Sequence, residues 1–342
     1  MKTSRPAILG LAFSVPLALA LLSSASAQSY SFTDFDASGS GLANTVNGIS
    51  NSGIVVGTVL NPSDGSNTSF SGTPGAFTAL NLPGTASANA INSAGQVVGN
   101  DGKNAFMLDS ATPGASEQLL TPVNGTTVSE IALGINDGGT IVGQYVDNGS
   151  PASALGFVDV QGNYTTLNPS GNTAVTSANG INNNGLVVGF FGPNPNQTSG
   201  NPNQTSGFLF DTLTSQYTPL TDPAVSDLEF TQFLGINDSG EAVGYYQTNA
   251  LIQHGFLYNT KTSAYTFLDD PNVAPGGSTQ ITGISDSGEI AGFYANPNGG
   301  AQLGFVATPA AVPEASSLVS LSLLLALGVG GVYAAKKRKT AA

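Results

Sequence analysis

The chain has 342 residues, no Cys and no Trp, 44 Gly, and only 8% charged side chains against 40% apolar ones. The absence of cysteine excludes disulfide stapling and thiol chemistry, so packing alone must hold the fold. The apolar content excludes a disordered chain, and a net charge of −13 excludes charge-driven binding to nucleic acid or anionic lipid.

In chain order, the first element is a secretory signal over residues 1–27. Lys2 and Arg5 supply the positive start, Ala7 to Leu22 is apolar, and Ala25-Ser26-Ala27 is a small-residue cleavage site. Signal peptidase is the expected partner, cutting after Ala27 so that the mature chain starts at Gln28. Six of the eight basic residues lie in the two ends of the chain. Between Gln28 and Val312 only Lys103 and Lys261 stand against 20 acidic residues, a net charge of −18.

Residues 28–308 are built from six copies of one unit: small-Ile-(Asn/Ser)-x-x-Gly-x-apolar-apolar-Gly. It runs Gly48 to Gly57, Ala90 to Gly99, Gly134 to Gly143, Gly180 to Gly189, Gly235 to Gly244 and Gly283 to Gly292. The shared isoleucines, from Ile49 to Ile284, are 42, 44, 46, 55 and 48 residues apart. The long interval holds a tandem heptapeptide, Asn194 to Gly200 and Asn201 to Gly207, a duplication expected only in an exposed loop. Asn-Asp-Ser-Gly at 237–240 is turn chemistry, and the Gly common to all six copies predicts a hairpin turn with positive φ.

Each unit continues with an aromatic strand, read at Gly75-Ala-Phe77, Ala105-Phe-Met107, Gly156-Phe-Val158, Gly207-Phe-Leu209, Gly255-Phe-Leu257 and Gly304-Phe-Val306. A Tyr-Thr-x-Leu strand follows in the best copies, at 164–167, 217–220 and 265–268. Consecutive aliphatics such as Val55-Val56 point to opposite faces of a strand, so both faces are expected to be buried. Four short strands per 40–50 residues, buried on both faces without crossover helices, predict an all-β fold: a six-bladed β-propeller of four-stranded blades. The phase of the ends predicts its closure. The repeats start on a second strand, Tyr30 to Phe35, and stop on a lone first strand, Gly304 to Val306. A β-solenoid or stacked prism is the competing architecture.

Residues 309–342 form a tail. Ala315 to Ala335 is 21 residues without charge, enough for a helix across a hydrocarbon core about 30 Å thick. Lys336, Lys337, Arg338 and Lys339 follow and favour the cytoplasmic side, so the body is expected outside, with a single-pass membrane-anchored precursor.

Two resemblances accompany these readings. Val312-Pro313-Glu314-Ala315, then an apolar helix, then a basic cluster, resembles the PEP-CTERM sorting signal over roughly the last 30 residues. That implies processing near Pro313 and Glu314 by an exosortase-like enzyme and delivery to the cell envelope or exopolysaccharide matrix. Leu-Gly-Ile-Asn-Asp-Ser-Gly-Glu-Ala-Val-Gly-Tyr at 234–245, followed by His254-Gly-Phe-Leu257, resembles the HAF-type extracellular repeat. This second resemblance spans residues 30–307, departs from the family in having His in one copy only, and implies architecture and location but no catalytic role.

Groups able to do chemistry are few. His254 opens a strand and reads as a blade-edge residue. No nucleophile elbow, zinc-binding helix or phosphate loop is present. Asp269-Asp270 is the only adjacent acidic pair; in a Pro-Asn-rich loop it reads as solvated rather than as a glycosidase pair. Asp137, Asp238 and Asp286 occupy equivalent turn positions and are the candidate ligands for Ca²⁺, although Asn51, Ser93 and Asn183 in the other copies fit a turn-forming role better. No other metal and no cofactor are expected. The body is therefore read as a non-enzymatic structural, adhesive or binding module for exopolysaccharide or surface proteins. A polysaccharide hydrolase or lyase working from a central channel is the alternative, distinguished by whether acids and the lone His converge at the channel mouth.

Overall fold

The computed structural model describes residues 29–310, apart from 113, 122, 149–153, 170–173, 194–204, 221 and 298–300. The signal peptide with its cut between Ala27 and Gln28, the processing motif Pro313-Glu314, the apolar stretch 315–335, the basic cluster Lys336 to Lys339 and most of the tandem duplication lie outside the described residues. Among the described residues no helix is long and apolar enough to cross a membrane.

Six four-stranded antiparallel sheets make up the body. Blade I is β2 (Asn44–Ile49), β3 (Val55–Leu60), β4 (Asn67–Thr73) and β5 (Ala76–Ala79). Blade II is β6 (Ser87–Ile91), β7 (Gln96–Asn100), β8 (Ala105–Asp109) and β9 (Gln118–Leu119). Blade III is β10 (Thr127–Ile135), β11 (Ile141–Asp147), β12 (Ala154–Val160) and β13 (Asn163–Leu167). Blade IV is β14 (Ala174–Ile181), β15 (Leu186–Pro193), β16 (Ser206–Asp211) and β17 (Gln216–Pro219). Blade V is β18 (Leu228–Ile236), β19 (Glu241–Thr248), β20 (Gln253–Asn259) and β21 (Ala264–Phe267). Blade VI is β22 (Ser278–Ile284), β23 (Ile290–Ala295), β24 (Leu303–Pro309) and, from the other end of the chain, β1 (Tyr30–Phe35). The isoleucine strand of each unit is innermost and packs on that of the next blade, with β22 on β2 completing the circle.

The ring closes as the phase of the ends predicts. β1 pairs with β24 in antiparallel register from Tyr30↔Pro309 to Phe35↔Gly304, so one blade is completed by both termini of the body. A propeller is thereby established over the solenoid.

The doubled aliphatics explain how blades cohere. Successive strand residues face opposite ways, and each pair divides between two cores. Val55 joins the cluster between blades VI and I, while Val56 joins the one between I and II. Val187 and Val188 divide between the III/IV and IV/V clusters in the same way, as do Ile290 and Ala291 between V/VI and VI/I. All six of these residues are fully buried, and each Val or Ile contributes about 1.5–3 kcal/mol by burial. Within each blade the Gly that ends the repeat motif faces an aromatic ring, as in Gly244↔Phe256. A Cβ at Gly244 would lie 1.9 Å from Gln232 O and 2.9 Å from Phe256 Cζ, so no larger residue fits beneath that ring.

That pairing corrects one strand assignment. In blade I the residue opposite Gly57 is Phe70, on β4, whereas Gly75-Ala-Phe77 turns into the outer strand β5. Phe77 packs edge-on against Phe70 (5.1 Å, 70°). The aromatic strand is defined by register against Gly57, which a Gly-x-Phe string alone does not reveal.

Candidate axial binding site

The inner strands leave a channel along the propeller axis, and its two mouths differ. Each inner strand carries a β-bulge just before its Ile, and the bulged residues are Asn47, Asn89, Leu133, Asn179, Leu234 and Thr282. They form a waist. Asn47 Nδ2 donates to Ala88 O (2.8 Å), Asn89 Nδ2 to Ala132 O (2.9 Å), Asn179 Nδ2 to Phe233 O (2.7 Å) and Thr282 Oγ1 to Val46 O (2.8 Å). Each bond reaches the next blade, so the bulge that widens the ladder also stitches neighbours together.

At the narrow mouth, of about 90 Å³, lie the repeated turns. Gly53, Gly95, Gly139, Gly185, Gly240 and Gly288 all have φ between 76° and 82°, as the turn chemistry predicts. In each turn the Gly N–H donates to the carbonyl three residues back, as Gly240 N–H does to Asn237 O (3.1 Å). Two belts of hydrogen bonds then link neighbouring turns, five links in the outer belt and four in the inner one. Ser93 N–H donates to Asp137 Oδ1 (2.8 Å), Asp137 N–H to Asn183 Oδ1 (2.9 Å), Asn183 N–H to Asp238 Oδ1 (2.7 Å), Asp238 N–H to Asp286 Oδ1 (2.8 Å) and Asp286 N–H to Asn51 Oδ1 (2.8 Å). One residue deeper, Asn92, Asn136, Asn182 and Asn237 each donate Nδ2 to the next blade's turn carbonyl at 2.9–3.2 Å.

The fold thus brings Asp137, Asp238 and Asp286 into one ring, but their carboxylates are engaged by backbone N–H groups and by Ser93, Asn183 and Asn51. Among the described residues no group of three or more His, Asp or Glu is spaced to hold a metal ion.

The wide mouth, of about 280 Å³, is lined by the amides of Asn47, Asn89, Asn179, Gln232 and Gln280, the hydroxyls of Thr45, Thr282 and Tyr245, and the apolar Leu133, Leu234 and Phe293. No charged side chain is among them. Its volume approaches the ~300 Å³ lower bound of small-molecule sites. Burial pushes the Tyr245 hydroxyl up to about 12, so it stays protonated and donates to Gln232 Oε1 (2.7 Å).

Three acids, Asp137, Asp238 and Asp286, line the narrow mouth, whereas the single His and the buried acids lie away from the axis. His254 Nδ1 contacts Asp269 Oδ2 at 2.7 Å, and its ring stacks on Tyr246 with centroids 5.2 Å apart. Neither His254 nor Asp269 lines the channel. The adjacent acids are not both solvated: Asp269 holds His254 and Gly255 N–H, while Asp270 is 1% exposed. Burial, with the Asp34 carboxyl of β1 beside it, pushes Asp270 up to about 7. The Asp270 side chain caps its own loop by accepting from Asn272 N–H, and that loop leads into blade VI, which a dipeptide in a Pro-rich segment does not disclose. A second buried acid, Glu130, occupies the inner-strand position that holds Thr in blades IV to VI. Burial and the Asp159 charge push it up to about 7, against the opposing bond from Tyr164.

The architecture defines this chain as a six-bladed β-propeller. Residues 118–232, which span blades III and IV, match the family model described as "Protein of unknown function (DUF3466)". No curated protein matches the chain. Among solved structures it is similar to TolB from Acinetobacter baumannii, 9% identical over 77% of this chain and 63% of that one, with a TM-score of 0.44. It is also similar to a mutant Aleuria aurantia lectin in complex with Fucalpha1-6GlcNAc (12% identity, 80% and 98% covered, TM-score 0.44). A polysaccharide lyase described as an ulvan lyase gives 12% identity, 75% and 81% covered, and a TM-score of 0.39. The chain spans less than two thirds of the TolB chain, and likenesses this distant assign no activity.

Proposed function

We propose that this propeller is an exported, surface- or matrix-associated binding module without catalytic activity. It reaches the envelope through the signal at 1–27 and is released, or held, through the tail at 309–342. The observation that carries the binding role is the wide mouth: a concave, uncharged surface of amides, hydroxyls and aromatic rings. Such a lining orients a ligand by hydrogen bonds and offers no general acid, base or nucleophile of ordinary reactivity. The lone His and the buried acids lie elsewhere, which favours binding over the lyase or hydrolase reading.

Recovery of the protein from the envelope of its host, followed by mass spectrometry, tests the route. The expected chain begins at Gln28 and ends near Pro313-Glu314. Surface protein still carrying Lys336 to Lys339 would sink the sorting step and leave a permanent anchor. Incubation of the same protein with the host's extracted polysaccharide tests the role, with retention of polymer at unchanged length expected. Shortened polymer would replace the module with an enzyme.

A further inference from the structure

We infer that the wide mouth of the axial channel binds an uncharged, hydroxyl-rich chain, a neutral glycan, seated across blades V and VI. The inference rests on the binding-module reading and adds the site and the ligand class.

The residues at that mouth are not six-fold alike. The inner strands place Thr45, Ser87, Ile131, Ser177, Gln232 and Gln280 at one equivalent position. Their cross-strand partners are Thr58, Asn100, Gln144, Phe190, Tyr245 and Phe293. Polar partners thus occupy blades I to III and aromatic ones blades IV to VI. Long amides beside aromatic rings occur only on blades V and VI, and there Gln232, Gln280, Tyr245 and Phe293 all line the mouth.

These amides are held in place by a relay. Gln247 Nε2 donates to Glu229 Oε2 (2.7 Å), Gln253 Nε2 to Gln247 Oε1 (3.1 Å) and Gln280 Nε2 to Gln253 Oε1 (2.6 Å). Glu229 Oε2 accepts the first link, and each amide group then donates to the carbonyl oxygen of the one before it. The last link takes up the Gln280 amino group and leaves its Oε1 as an acceptor in a residue that lines the mouth. Tyr245 takes up Gln232 Oε1 and leaves the Gln232 amino group as a donor. The two amides thus offer the cavity one acceptor and one donor, the two hydrogen-bonding roles of a hydroxyl, and their pre-orientation lowers the entropy lost on binding. The half-buried Phe293 suits the apolar C–H face of a sugar ring, while the buried Tyr245 acts by holding Gln232.

Charge selects between glycan classes. The lining has no cation to pair with a carboxylate or sulfate, and the mature body carries −18 with two lysines. A polyanionic glycan is repelled by that field, whereas a neutral one is not.

Titration of the full-length protein with dextran, mannan and galactan oligosaccharides, and separately with alginate and polygalacturonate fragments, tests the inference. At least one neutral oligosaccharide is expected to bind. Gln280→Ala and Phe293→Ala are each expected to weaken that binding at least tenfold, with an unchanged thermal midpoint, while Asp238→Asn at the narrow mouth leaves it unaltered. Chemical-shift changes on the unmutated protein, expected around Tyr245 and Phe293, locate the ligand even where a variant misfolds. Preferential binding of the acidic fragments, shifts confined to other blades, or affinity indifferent to both substitutions would overturn the inference. So would failure of every neutral probe. Retention of the host polymer alongside any of those results leaves the binding module standing with a different site, whereas cleavage of the polymer removes both.

Discussion

The two mouths of the channel are built from the same six repeats and have opposite characters. At the narrow mouth the repeats agree: six turns share one backbone conformation, and their polar groups are spent on one another. At the wide mouth they diverge, and Gln232 and Gln280, which line it, each keep one amide group outside the bonds to Tyr245 and Gln253. A belt in which most donors and acceptors bond one another stabilises the fold but offers little to a ligand. Where side chains at equivalent positions differ, the scaffold does not need them, and they are free to serve recognition. The candidate calcium ligands Asp137, Asp238 and Asp286 lie at this end, with their carboxylates hydrogen-bonded to neighbouring turns.

The largest effect that can test this contrast is expected from Asn182→Ala at the narrow mouth. Asn182 is 4% exposed. Its Oδ1 accepts from Asn184 N–H (3.1 Å) and Leu186 N–H (2.9 Å), and its Nδ2 donates to Asn237 O (2.9 Å). Truncation strands those groups and should cost about 2–4 kcal/mol in urea unfolding. A loss below 1 kcal/mol would show that the ring is decoration.

Next in size is the response to pH, which separates stability from binding. Glu130 and Asp270 ionise near 7 in the folded chain, above their ordinary values of 4.5 and 3.8. The folded state therefore holds more protons between about pH 4.5 and 7, and stability falls as pH rises through that window before levelling. Glu130→Gln or Asp270→Asn should flatten the fall and raise stability at pH 8 by on the order of 1–2 kcal/mol. Ligand affinity at the wide mouth should stay level over the same window, since its lining titrates only at Tyr245. A parallel fall in affinity would tie the mouth to the acids.

Gly240→Ala should cost roughly 1 kcal/mol or more, because φ is 81° and the new Cβ would lie 2.8 Å from Thr260 Oγ1. Ser285→Asn tests the narrow ring from the other side. Ser50 and Ser285 stand where four blades have Asn, and their hydroxyls bond locally to Ser52 and Ser287 (2.9 and 2.8 Å) instead of reaching across. Installing the amide should gain about 0.5–1 kcal/mol in thermal unfolding; a loss would mean the cross-blade bond is not the source of the ring's stability. Gln232→Ala at the wide mouth should cost about 1 kcal/mol, because the buried Tyr245 hydroxyl loses its acceptor, and it should weaken ligand binding as well.

Much of this architecture was legible along the chain because it repeats. The turn glycines, the Val-Val pairs facing two cores and the complementary strands at Tyr30 and Gly304 are local patterns with a geometric meaning, and six copies make the pattern unmistakable. What only the tertiary structure decided lies between blades. The displacement of the blade I aromatic strand to Phe70, the burial of Asp270 against Asp34 and the relay from Glu229 to Gln280 join residues whose meeting depends on register and on ring closure. Asp34 and Asp270 are brought together by the pairing of β1 with β24 at the far end of the chain. The wide mouth escaped notice for the converse reason: its residues depart from the repeat, and a departure acquires meaning only once the ring has set six equivalent positions around one axis.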